Sequence, residues 1–224
     1  MKRIFTALVI GLITVSAFSQ NFQVHYDFGE DRKYVTTTFE MFKPDQWGST
    51  FIFVDFDYNV GDVEGVSLAY MEVSRALKFW DSPFALQVEY NGGFGQFAPG
   101  MAFQVNDAWL TGGQYTWNSA DYSKIFTLQG LYKYINDDVN DASFQITGVW
   151  TVQMAGGKFT FSGFADFWKE EKPALGTDFV FLTEPQIWYN ATENLSLGSE
   201  IELSSNFIEE GFAVCPTVAV KWNF

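Results

Sequence analysis

The sequence predicts an all-β chain: a twelve-stranded antiparallel transmembrane β-barrel preceded by a signal peptide. Three observations predict it. An apolar leader opens the chain. Segments of about ten residues then alternate apolar with polar side chains and are cut by turn clusters. The last segment ends on the aromatic run Lys221-Trp222-Asn223-Phe224.

Composition points the same way. The 224 residues include 25 Phe, 10 Tyr and 8 Trp, side chains that fit a pleated surface. Long helices would draw on more Ala, Leu, Lys and Glu. Thirteen basic against 27 acidic residues give a formal charge of −14, which repels phosphate backbones and excludes nucleic acid as a partner. One cysteine, Cys215, allows no internal disulfide, and one histidine, His25, leaves no His-rich metal set. Without a glycine-rich phosphate loop, zinc-finger spacing or Gly-x-Ser-x-Gly elbow, no cofactor or metal is expected.

The leader comes first. Lys2 and Arg3 precede an apolar stretch from Ile4 to Val15, and Ala17-Phe18-Ser19 offers small residues to a signal peptidase. The stretch is shorter than the roughly 20 residues a spanning helix needs, so residues 1–19 are expected to be a signal peptide cleaved after Ser19. The expected barrel covers residues 20–224. Losing two basic residues takes the net charge to −16.

The strands follow at 22–28, 34–43, 49–58, 66–78, 84–91, 105–116, 122–135, 143–154, 158–167, 179–190, 195–207 and 213–224. On 49–58, Ile52, Val54, Phe56 and Tyr58 share one face, and Phe51, Phe53, Asp55 and Asp57 the other. On 84–91, Phe84, Leu86, Val88 and Tyr90 oppose Gln87 and Glu89. On 143–154, Phe144, Ile146, Trp150, Val152 and Met154 oppose Gln145, Thr147, Thr151 and Gln153. Phe159, Phe161, Ala165 and Phe167 oppose Thr160, Ser162 and Asp166. Leu195, Leu197, Ile201, Leu203 and Phe207 oppose Ser196, Glu200, Glu202, Ser204 and Asn206. On the last strand Val218, Val220, Trp222 and Phe224 oppose Ala219, Lys221 and Asn223. Strands 66–78, 105–116 and 179–190 carry apolar residues on both faces, so their orientation stays open, and Glu72 and Arg75 are not assigned to one face.

Alternation also suits a soluble sandwich, so the connections matter. Pro44–Gly48, Phe79–Pro83, Trp117–Asp121, Ala155–Gly157 and Ala191–Asn194 are short. Asn59–Gly65, Gly92–Gln104, Asn136–Ala142 and Trp168–Asp178 are longer, while Gly29–Lys33 and Ile208–Phe212 are not. Short turns at one end and longer loops at the other are expected of outer-membrane barrels. Trp47, Trp80, Trp117, Trp168, Trp188, Tyr189 and Trp222 lie near strand ends, where interfacial girdles belong. Strands in lipid must satisfy every backbone group, which a closed sheet does. The terminal Phe224 looks like an assembly signal, so the barrel-assembly machinery is expected to act on the C-terminal strand.

Several segments carry a resemblance. They are Asn21-Phe22-Gln23-Val24-His25-Tyr26-Asp27-Phe28-Gly29, Trp47-Gly48-Ser49-Thr50-Phe51-Ile52-Phe53-Val54-Asp55, Glu89-Tyr90-Asn91-Gly92-Gly93, Gly163-Phe164-Ala165-Asp166-Phe167-Trp168 and Glu184-Pro185-Gln186-Ile187-Trp188-Tyr189. With Asn206-Phe207, Pro216-Thr217 and the C-terminal run, they resemble an uncharacterised family of Bacteroidetes-type outer-membrane proteins related to the nucleoside-specific channel-forming (Tsx-like) superfamily. The resemblance spans residues 21–224. It implies a monomeric outer-membrane barrel that passes nucleosides, with Trp47-Gly48-x-x-Phe51-x-Phe53-x-Asp55 as the nearest point of contact.

The expected function is passive uptake of small polar solutes across the outer membrane, with no enzyme activity. Phe51, Phe53, Asp55 and Asp57 are expected to line the lumen, where rings stack on a base and acids accept hydrogen bonds from hydroxyls. Glu89, Asp166, Glu200 and Glu202 are expected on the same wall, with Lys221 nearby. Two alternatives stand beside this reading. One is a structural or adhesion barrel acting through its loops. The other is a barrel lipid hydrolase or acyltransferase using His25, with Asp27 two residues on and no nucleophile assigned.

Overall fold

The computed structural model describes residues 19–30, 32–136 and 142–224. The predicted leader, as far as Phe18, and most of the predicted connection 136–142 lie outside them. Thirteen strand segments follow in order: β1 (Ser19–Asp27), β2 (Val35–Asp45), β3 (Gly48–Tyr58), β4 (Val66–Leu77), β5 (Phe84–Ala98), β6 (Met101–Asn118), β7 (Lys124–Ile135), β8 (Ala142–Met154), β9 (Phe159–Lys172), β10 (Thr177–Thr183), β11 (Gln186–Asn190), β12 (Leu195–Ser205) and β13 (Phe212–Asn223). One 3₁₀ turn, Pro173–Leu175, joins β9 to β10.

These segments make a closed wall of twelve strands, because β10 and β11 are two halves of one. Both halves pair with β9 on one side and β12 on the other. The break falls at Glu184-Pro185, where proline has no N–H to give the ladder. Glu184 N still donates to Phe164 O (3.2 Å), and Ile201 N donates to Pro185 O (3.1 Å), so the wall stays shut. Gly163 faces the break with φ +149, and a Cβ there would run into the Glu184 carbonyl. Every neighbouring pair is antiparallel, and β1 against β13 closes the ring, with Phe22 opposite Trp222 and Tyr26 opposite Val218. Closure leaves no open edge.

Period-two alternation splits the wall into two chemistries. On β1, Asn21, Gln23, His25 and Asp27 are buried inside, while Phe22, Val24 and Tyr26 are exposed outside. The outward face continues with Leu86, Val88, Phe126, Leu128, Phe144, Ile146, Val218 and Val220, a surface suited to hydrocarbon rather than water. Among the described residues no helix is long and apolar enough to cross a membrane; the crossing elements are strands. A small apolar cluster of Ala108, Leu110, Leu131 and Ile135 packs where β6 meets β7.

The wall resolves the strands whose faces were open. On β4, Leu68, Tyr70, Glu72, Ser74 and Ala76 line the interior. Arg75 lies on the opposite face from Glu72 and forks onto Asp45 at 2.7 and 2.9 Å. On β6, Ala108, Gln114, Thr116 and Asn118 line the interior. Even-numbered residues of β10 and β11 keep one direction across the break, so that Leu182, Glu184, Gln186 and Asn190 share the lumen.

Four expectations are corrected. Gly92–Gln104 is not a loop: β5 and β6 run on as a hairpin to a tip at Pro99-Gly100, with a register shift between Asn91 and Gly93. Likewise β9 continues to Lys172, so the connection after it is short. The contrast in connection length is therefore weaker than predicted, and the extra height at the loop end is built from strand. Finally, Trp168 (6 % exposed) and Trp188 (0 %) are not girdle residues, because their parity turns both indoles inward. Phe207 lies past the end of β12 and lines the interior, packing edge-on against Trp168 at 5.9 Å.

Candidate functional site: the barrel interior

One cavity of about 2630 Å³ runs through the barrel. Its lining extends from the turns at Pro44–Trp47 and Lys78–Pro83 to Arg32, Phe207 and Ile208 at the opposite end. Among the described residues fourteen Asp or Glu side chains line it against six Lys or Arg. The interior is thus an acidic passage, and a charge-lined passage favours solutes of opposite sign or neutral polar ones.

All eight residues predicted for the lumen line this cavity: Phe51, Phe53, Asp55 and Asp57 on β3, Glu89 on β5, Asp166 on β9, and Glu200 and Glu202 on β12. Register explains how β3 is held. Thr38 stands opposite Asp55 and Thr36 opposite Asp57, and each hydroxyl donates to its carboxylate, at 2.5 and 2.6 Å. Phe53 stands opposite Glu72 and meets the Tyr70 ring edge-on at 6.4 Å. Phe42 stands opposite Phe51, so the β2–β3–β4 wall offers a ring-lined patch beside fixed carboxylates.

The seam where β1 meets β13 carries a directional hydrogen-bond chain. Asn21 Nδ2 donates to Glu40 Oε2 (2.9 Å), and Gln23 Nε2 donates to Asn21 Oδ1 (2.8 Å). His25 Nε2 is 2.9 Å from Gln23 Oε1, which as a carbonyl oxygen can only accept. A neutral His25 therefore carries its proton on Nε2, and Nδ1 lies 3.1 Å from the Thr217 hydroxyl, whose single proton the Glu200 carbonyl also faces at 3.2 Å. Glu200 N in turn donates to Thr217 Oγ1 (3.1 Å). This engages both nitrogens of His25 and ties up the Thr217 hydroxyl, so the geometry gives His25 a positioning role in the seam. Asp27, two residues on, accepts from Gly29 N (2.6 Å) and from Arg32 Nη1 (3.2 Å) instead.

Beside the seam lies the largest fully buried side chain, Trp188. Its Nε1 donates to Gln186 Oε1 (2.9 Å), Gln186 Nε2 donates to Glu200 Oε2 (2.5 Å), and the Lys221 ammonium sits 3.9 Å from the ring centre. Gly198 is opposite Trp188, where a Cβ would strike the indole. A third group surrounds Lys133, whose Nζ donates to Gln145 Oε1 (2.9 Å) and lies 4.5 Å from the centre of the Trp168 ring. Sequence reasoning missed Trp168, Trp188, Lys133 and Arg32 as interior residues. Parity would have found Trp168, since Phe167 outward requires Trp168 inward.

Among the described residues no group of three or more His, Cys, Asp or Glu is arranged to hold a metal ion. The profile of a domain of unknown function (DUF5020) matches residues 19–224. The chain belongs to the DUF5020 family. Curated protein sequences give no match to it. Solved structures show what this DUF5020 barrel is built like. The NanC porin superposes with a TM-score of 0.59 at 12 % identity, covering 92 % of this chain and 100 % of the porin. The KdgM porin in complex with disordered oligogalacturonate gives 0.52 at 11 % identity, covering 92 % and 99 %. At that identity the likeness is one of fold, and the fold is that of outer-membrane porin barrels.

Proposed function

We propose that this DUF5020 barrel is a monomeric passive channel for small polar solutes across the bacterial outer membrane. The observation that carries the reading is the continuous cavity lined from turn end to loop end by polar side chains. Two porins of the same fold support it. The acidic lining favours neutral or cationic solutes over a polyanion such as the oligogalacturonate named with KdgM.

Nucleosides are the substrate class we favour. The support is the Tsx-like resemblance of the β3 segment, together with Phe51, Phe53 and Tyr70 beside Asp55 and Asp57. Rings offer stacking faces, and the carboxylates accept hydrogen bonds from ribose hydroxyls. On the same reading, residues 1–19 direct export and the C-terminal strand docks on the barrel-assembly machinery.

Single-channel conductance of the refolded barrel in planar bilayers tests this, with nucleosides added in millimolar steps. Discrete conductance that nucleosides block saturably, and that Phe53→Ala relieves, is the expected result. Conductance without block would remove the nucleosides and keep the channel. A correctly folded barrel that never conducts would remove the channel.

A further inference from the structure

One sector of the wall is built up from within. Across β1, β13, β12 and β11 the register sets His25, Ala219, Gly198 and Trp188 in a single row of inward positions. The row is large at its ends and small in its middle, and Trp188 uses the gap. Its indole lies over Gly198, where a Cβ would strike it, and meets the His25 ring edge-on at 6.0 Å. Those two backbones stand three strand spacings apart, roughly 14 Å around the wall. The rings bridge that span.

The adjoining row carries Gln23, Lys221 and Ser196. Lys221 completes the stack, with its ammonium 3.9 Å from the indole centre. Gln23, Trp188 and Ser196 face the interior yet have no exposed surface (0 % each), so other side chains cover them from the lumen. Lys221 does line the cavity. Over Gly198, where the bare backbone would leave the lumen widest, there are therefore two layers, a fixed ring and then a cation. In a barrel of twelve strands, narrower than a sixteen-strand porin, such a ledge takes up a substantial part of the cross-section. Its partners fix its position: Gln186 holds the indole Nε1, and Glu200 holds Gln186.

We propose that the Trp188–Lys221 stack is the selectivity ledge of this passage. The indole limits the width of solute that passes, and the ammonium above it opposes the cations that the acidic lining draws in. The ledge rests on the channel reading, since it acts on what moves past it.

Single-channel conductance, and the permeability ratio of potassium to chloride, are measured on the refolded full barrel in a KCl gradient. Lys221→Met keeps a long stem over the indole and removes the charge. It should raise the permeability ratio about twofold, whereas Lys221→Arg should leave it near wild type. Trp188→Ala removes the seat. It should raise conductance about 1.5-fold and admit neutral polyethylene glycols that the wild type excludes, with Trp188→Phe in between. A merely structural loss would lower conductance and would not raise the size limit. Lys221→Met and Trp188→Phe decide the matter if Trp188→Ala does not fold. Conductance, size limit and permeability ratio untouched in the folded variants would overturn the ledge and keep the channel. A wild type that stays shut while Trp188→Ala conducts would keep the ledge and remove the open channel. If both stay shut, both readings fall.

Discussion

Arg32 forks onto Glu202, with Nη1 donating to Oε2 at 2.8 Å and Nη2 to Oε1 at 3.0 Å. The pair ties the loop after β1 to β12, and Arg32 also reaches Asp27 at 3.2 Å. Burial opposes the guanidinium's charge, but the hydrogen bonds and charge of Glu202 outweigh it and hold Arg32 protonated. Removing the guanidinium strands two partly buried carboxylates. Arg32→Ala should therefore cost about 1–3 kcal/mol locally. Limited proteolysis at 28–34 should rise in Arg32→Ala while the barrel core stays resistant. Arg32→Lys should recover little, because a lysine cannot fork.

Gly198 leaves room for the Trp188 indole. A Cβ at Gly198 would run into the Ile187 carbonyl oxygen as well as the indole, so Gly198→Ala should disturb the β11–β12 pairing as well as push the indole off its place under Lys221, at about the 1–3 kcal/mol typical of overpacking. Tryptophan emission should shift, and the temperature at which the barrel loses its compact form on gels should fall. An unchanged melting temperature and spectrum would contradict the packing described.

Gly163 and Gly130 make a matched pair. Gly163 has φ +149 and faces the Glu184 carbonyl, whereas a Cβ on Gly130 meets nothing within 4 Å. Gly163→Ala should sharply reduce refolding yield, and Gly130→Ala should leave it near wild type.

Asp121, in the turn after β6, gives a pH prediction. Hydrogen bonds from Ser119 and Ser123 hold its carboxyl down at about 2. Because the folded value lies below the ordinary 3.8, the turn's support is complete above pH 3.8 and is lost as pH falls toward about 2. Hydrogen exchange at the Ser123 amide, corrected for intrinsic rates, should be as slow at pH 4.5 as at pH 7. Protection should drop near pH 2, and Asp121→Ala should remove that pH dependence.

The faces of β3 could be read from sequence because a single-parity strand with carboxylates on one side has one sensible orientation. Glu89, Asp166, Glu200 and Glu202 were legible for the same reason. Trp168 and Trp188 were not, because position near a strand end outweighed parity in the girdle argument, and the strands ran further than their turn residues suggested. Gly92, Gly93, Gly95 and Gly100 read as a loop, yet the first three lie within β5 and only Gly100 sits at the tip. Pro185 hid the common face of β10 and β11 by interrupting the ladder without changing its parity. The hydrogen-bond chain through His25 depended on β13 lying beside β1, which no local pattern announces.

That neighbourhood has a consequence in time. His25 and Thr217 touch across 192 residues of sequence, so the ring cannot shut until a segment made near the end of synthesis meets one made near the start. Contacts this distant form late. Until then the first strand keeps an unpaired edge, ready to stick to any other growing chain. A cell making this protein must keep each copy apart from the next for the whole of that delay.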